Sequence, residues 1–161
     1  MAYRDIDLNL TEEQRFLRDT VRKFGAEVVR PAGLKLDKMA DPEDTIAKDS
    51  VLWDVIRQSR ELGLHLGELP QSVGGTKEDM DAMSQVLLVE ELGYADGGLA
   101  ISMAVSSLPF SMAAMFPNPK FQEIAREAAG ATEIFHIEDI QTLWSGYGKI
   151  MRYGLRIIGD K

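Results

Sequence analysis

Hydrophobic positions along the chain fall into helix-period stripes separated by glycine and proline breaks, and the pattern changes near residue 130. Leu17, Val21, Phe24 and Val28 recur at steps of four, three and four, which places them on one helical face. Thr11 precedes Gln14 at capping-box spacing, so the two side chains can satisfy amide groups that a helix start leaves without partners. Arg15, Arg18, Arg22, Lys23 and Glu27 take the other faces, and Pro31 with Gly33 is expected to stop or bend the helix. Residues 36–49 are polar and acidic, with a turn expected at Asp41-Pro42-Glu43-Asp44, and read as a connection or a short helix. A second helix is predicted from Asp49 or Ser50, with Leu52, Val55, Ile56, Ser59 and Leu62 on one stripe and Gly63 at its end.

Pro70, Gly74 and Gly75 then impose an irregular backbone. Thr76 and Asp79 suggest another capped start, with Met80, Met83 and Leu87 as a stripe that Glu90 and Glu91 end before Gly93. From Gly97 to Phe116 the chain runs for 20 residues without a charge, enough by length to cross a bilayer. Ser102, Ser106, Ser107, Ser111, Pro109 and the absence of basic flanks favour instead a helix buried at the centre of the domain. Asn118-Pro119 opens a last helix, closed by Gly130. The expected fold is therefore an all-α domain of five to six helices, orthogonal or up-and-down, over residues 5–130. Residues 131–161 are expected to form a short β-leaning appendage, such as a hairpin.

Charge sharpens this division. The last 31 residues hold four acidic and four basic side chains, so the net charge of -8 sits wholly on the first 130. An acidic surface does not suit nucleic acid, and the N-terminal segment shows no secretory pattern, which makes the cytoplasm the expected compartment. With no cysteine, the chain can form no disulfide, thiolate metal site or cysteine nucleophile.

Candidates for chemistry are few. His65 and His136 lack partners at ligand or triad spacing and read as structural or surface residues. Glu90-Glu91 could be a paired carboxylate for acid–base work, against the simpler reading of solvated charges near a helix end. Gly74-Gly75 and Gly97-Gly98 could cradle phosphate, but neither follows a predicted strand, so turn and helix-start roles fit better. Trp144-Ser-Gly-Tyr-Gly reads as a glycine-bearing hairpin.

Three blocks in order resemble one family: Leu10-Thr-Glu-Glu-Gln-Arg-Phe-Leu-Arg-Asp-Thr-Val-Arg-Lys-Phe; Leu62-Gly-Leu with Pro70 and Val73-Gly-Gly; and Val89-Glu-Glu-Leu-Gly-Tyr-Ala-Asp-Gly-Gly-Leu-Ala. Together they resemble the N-terminal helical domain of acyl-CoA dehydrogenases. The resemblance implies an FAD-dependent enzyme that oxidises the Cα–Cβ bond of an acyl-CoA, with this domain forming one wall of the acyl pocket. By position it assigns Ile101, Ala104, Val105 and Leu108 to the acyl chain, and their spacing independently makes them one face. The alternative is that this face packs on neighbouring helices. Nothing after Gly130 resembles the family's flavin-binding β-domain or its catalytic carboxylate domain, so the resemblance implies a truncated chain, inactive alone. Residues 140–153 weakly resemble the opening strands of aminoglycoside/choline-kinase-like phosphotransferases. The competing expectation is a non-catalytic helical module that forms a homo-oligomer through its apolar face.

Overall fold

A computed structural model describes residues 9–130, and all of the regular structure in them is helical. The expected appendage over 131–161, His136 and the glycine-bearing segment after Trp144 lie outside the described residues. Helix α1 spans Glu12–Phe24 and starts as its capping box predicts. The Gln14 amide donates to Thr11 Oγ1 at 3.2 Å, and the Thr11 amide donates to Gln14 Oε1 at 3.0 Å.

Pro31 does not stop this helix. The chain passes through a π-turn, Gly25–Val29, directly into α2, Arg30–Leu36. In the π-turn the ladder resets, with the Arg30 amide reaching back to the Gly25 carbonyl. Pro31 then falls in the first turn of α2, where a missing amide costs least.

Helix α3, Val51–Glu61, is capped by Ser50, whose hydroxyl accepts from the Leu52 amide at 3.2 Å and donates to the Thr45 carbonyl at 2.6 Å. It stops at Gly63, whose φ of 73° is the left-handed conformation that suits glycine at a helix end. Short 3₁₀ turns follow at Leu64–Glu68, Gln71–Val73 and Lys77–Asp79. Gly75 here lies so close to the Leu69 carbonyl that a Cβ would overlap it.

Helix α4, Ala82–Ala95, starts later and ends later than its sequence suggests. Thr76 makes no side-chain cap; Asp81 does, accepting from the Ser84 amide at 2.8 Å. Met80 therefore precedes the helix and Met83 is exposed, which leaves Leu87 as the buried member of the expected stripe. The helix continues past Glu90-Glu91 because Glu91 is neutralised from a neighbouring element, described below. Helix α5, Gly97–Met115, follows after one residue, and α6, Pro119–Gly130, completes the fold.

Helix α1 packs on α4, α4 on α5, and α5 on α6. One core gathers Val21, Phe24, Val29 and Ala32 with Val55, Leu92, Ala95, Leu99 and Met103. Burying side chains such as Val21 and Val55 contributes about 1.5–3 kcal/mol each. A second core joins Leu69 and Val73 to Phe110, Ala113 and Ala114 of α5 and to Ala125 and Ala128 of α6. Helix α5 is thus the shared wall of both cores. The helices approach closely where Gly25 meets α4, since a Cβ on Gly25 would sit 2.9 Å from the Ala95 Cβ.

Candidate functional site

Helix α5 is apolar on every side, yet the expectation of a helix buried all round is not met. Leu99, Met103, Ser107, Phe110, Ala113 and Ala114 face the cores. The opposite side, Ile101, Ala104, Val105 and Leu108, is open: Ile101 is 65% exposed, Val105 54% and Leu108 50%, and Ala104 is exposed as well. These four residues share one stripe about 10 Å long, which Met115 extends toward the end of the helix. Among the described residues no helix covers this face. Apolarity on all sides satisfied the sequence criterion for burial, but the domain supplies neighbours for only one side.

The start of α5 is fixed from within. Asp96 accepts from the Leu99 amide at 2.8 Å and its carboxyl group lies against Gly33 of α2, where a Cβ would overlap it. Arg30 donates to the Tyr94 carbonyl, and its guanidinium carbon stands 5.0 Å from the centroid of the Tyr94 ring. Ser102 and Ser106 turn their hydroxyls back onto the helix, donating to the Gly98 and Met103 carbonyls at 3.0 and 2.7 Å. Pro109 lies inside the helix and has no amide to offer the Val105 carbonyl, so one backbone acceptor in the open stripe loses its helical donor.

The other candidates resolve into structural roles. Glu91 is 3% exposed and receives two hydrogen bonds from Arg22 of α1, Nε to Oε2 at 3.0 Å and Nη2 to Oε1 at 2.7 Å. This bidentate pair makes Glu91 neither a solvated charge nor half of a carboxylate pair. Gly97-Gly98 forms the first turn of α5, and the Asp96 carboxylate already occupies the place an anion would take. Gly74, at φ 94°, and Gly75 serve a turn. His65 sits against the end of α6, with Nε2 3.3 Å from the Ala129 carbonyl oxygen.

A flavin dinucleotide requires donors for its pyrophosphate. Both glycine pairs are committed to backbone turns and the α5 N-terminus faces a carboxylate, so neither glycine pair supplies those donors. Residues 9–130 also contain no cluster of His, Asp or Glu placed to hold a metal ion.

Two residues of consequence escaped the sequence reading. Spacing places Arg22 on an outer face and gives Arg60 no distinguishing signal, yet Arg60 is 7% exposed and donates to the Ala128 carbonyl at 2.8 Å. Arg60 and Ala128 are 68 residues apart, so no local spacing signals the contact.

Such an arrangement defines a helical domain that presents an open apolar stripe along α5. The chain belongs to the acyl-CoA dehydrogenase family: the family model for "Acyl-CoA dehydrogenase, N-terminal domain" matches residues 11–132. It is 30% identical over 105 residues to "Probable medium-chain specific acyl-CoA dehydrogenase 2, mitochondrial" of Caenorhabditis briggsae. That alignment takes in 65% of this chain and 23% of the relative, so the chain spans about a quarter of the relative's length. No solved structure matches the chain.

Proposed function

We propose that this helical domain forms one wall of the acyl pocket in an FAD-dependent acyl-CoA dehydrogenase, with Ile101, Ala104, Val105 and Leu108 against the acyl chain. The observation that carries this reading is the open, uncharged stripe of α5 in a domain of this family. The groups that hold the flavin and remove the α-proton belong, on this reading, outside residues 9–130. The domain alone is then inactive. Its contribution is to exclude water and to contact the alkyl chain, worth about 0.8 kcal/mol for each methylene buried.

A medium-chain acyl-CoA carrying a diazirine at its ω end tests the proposal. On irradiation of the protein, label is expected on α5 between Ile101 and Leu108 and is lost in Val105→Asp. Label confined to other helices, or unchanged by the substitution, refutes the wall.

The same stripe supports a second reading, self-association of the domain through α5. Light scattering separates the two. A dimer that becomes a monomer in Val105→Asp and takes no label supports self-association.

A further inference from the structure

The last carbonyls of a helix have no partners within it, and α6 carries no basic residue in its last turn to interact with them. Two side chains from elsewhere take that place. Arg60, in the last turn of α3, donates to the Ala128 carbonyl at 2.8 Å from a position that is 7% exposed. His65, on the turn that follows α3, places Nε2 3.3 Å from the Ala129 carbonyl oxygen. Since a carbonyl only accepts, Nε2 carries a proton, and in the neutral ring Nδ1 is the bare nitrogen. Nδ1 is buried and has no hydrogen-bond partner.

We propose that Arg60 and His65 form a proton-sensitive clasp on the C-terminal end of α6, closed while His65 is neutral and opened when it takes up a proton. A proton on Nδ1 would create a buried donor with no acceptor, beside a second cation. Among the described residues no acidic group offsets this. The His65 turn packs against α5, which carries no charge, against α3, which contributes Arg60, and against Lys77–Asp79. Lys77, Glu78 and Asp79 are exposed, and the two carboxylates accept from Gln71. Glu61 of α3, Glu68 of the His65 turn, and Arg126 and Glu127 of α6 are exposed too.

Burial, and then the Arg60 charge, hold the His65 pKa below its ordinary 6.5, while the bond to Ala129 opposes them. With the folded value lower than the unfolded one, the clasp contributes fully above about pH 6.5. Its contribution falls as the pH drops from there through the folded value. The released element is the end of α6, where the chain leaves the described domain at Gly130. The inference does not depend on the acyl-wall reading.

Amide hydrogen exchange of α6, corrected for the intrinsic rate and compared at about pH 7.5 and about pH 5.5, tests the clasp. The last turn of α6 is expected to open more at the lower pH, by up to about tenfold, because only the one unit below 6.5 counts, while α1 stays protected. His65→Gln keeps an amide donor and cannot titrate, so the pH step should vanish in it, whatever its level of protection. No pH step in the natural protein, or an equal step in both, overturns the proposal. Should His65→Gln fail to fold, NMR titration of the natural protein decides. A His65 midpoint below 6.5 that moves the Ala129 and Gly130 amide signals with it supports the clasp. A midpoint at or above 6.5, or amide signals that stay still, overturns it.

Discussion

Arg22 of α1 clasps Glu91 of α4 through two hydrogen bonds of 3.0 and 2.7 Å, across 69 residues of sequence. The carboxylate is 3% exposed and the arginine side chain 34%, so the pair sits at the edge of the core with its anion inside. It holds together the two helices that pack most extensively in the domain.

Removing one member should therefore cost more than removing both. Arg22→Ala leaves Glu91 buried without its partner and is expected to lose roughly 2–4 kcal/mol in urea unfolding, since stranded buried charges are costly. The double change Arg22→Met with Glu91→Leu should recover most of that loss. A single mutant within about 0.5 kcal/mol of the natural protein would mean that water solvates Glu91.

The two sides of α5 should respond oppositely to charge. Leu108→Asp, on the open stripe, is expected to stay folded and soluble, with melting close to that of the natural protein. Phe110→Asp, 5% exposed between α5 and α6, should unfold the domain, because an unpaired carboxylate there costs several kcal/mol. Thermal melts followed by circular dichroism read both variants, and equal destabilisation would show that the stripe is covered.

Glycine positions offer a graded test of close packing. Gly75→Ala would drive a methyl into the Leu69 carbonyl and is expected to cost about 1–3 kcal/mol or more. Gly93, inside α4 with open space around it, should instead gain up to about 1 kcal/mol as alanine. Urea midpoints shifted in the same direction for both variants would contradict this assignment.

The Asp81 cap should leave its mark at acid pH. Hydrogen bonds from the Ser84 amide and from Gln14 hold its pKa below the ordinary 3.8. A folded pKa that is depressed contributes stability above the unfolded value, lost as pH falls through the folded one. Amides at the start of α4 should thus keep their protection until the pH is below about 3.8. Asp81→Asn, which can cap without titrating, should show no such step, and an equal acid transition in both proteins would place its origin elsewhere.

The helices were legible in the sequence wherever polarity alternates along them. Leu17, Val21, Phe24 and Val28 name the inner side of α1 and its continuation, and Thr11 and Gly63 mark helix ends, because caps and stripes are local chemistry. Pro31 misled because a π-turn before it reset the ladder, and Thr76 misled because Asp81 offered a better-placed carboxylate.

By itself, then, the sequence determined that residues 9–130 form an acidic helical domain with one uncharged helix, since composition and periodicity act over a few residues. Only the tertiary structure decided which side of α5 is open, because a helix apolar all round carries no period to set its phase. The partners of Glu91 and of the α6 carbonyls were decided there too. Those contacts join residues 64 to 69 positions apart, and only the packing of helices brings them within hydrogen-bond reach.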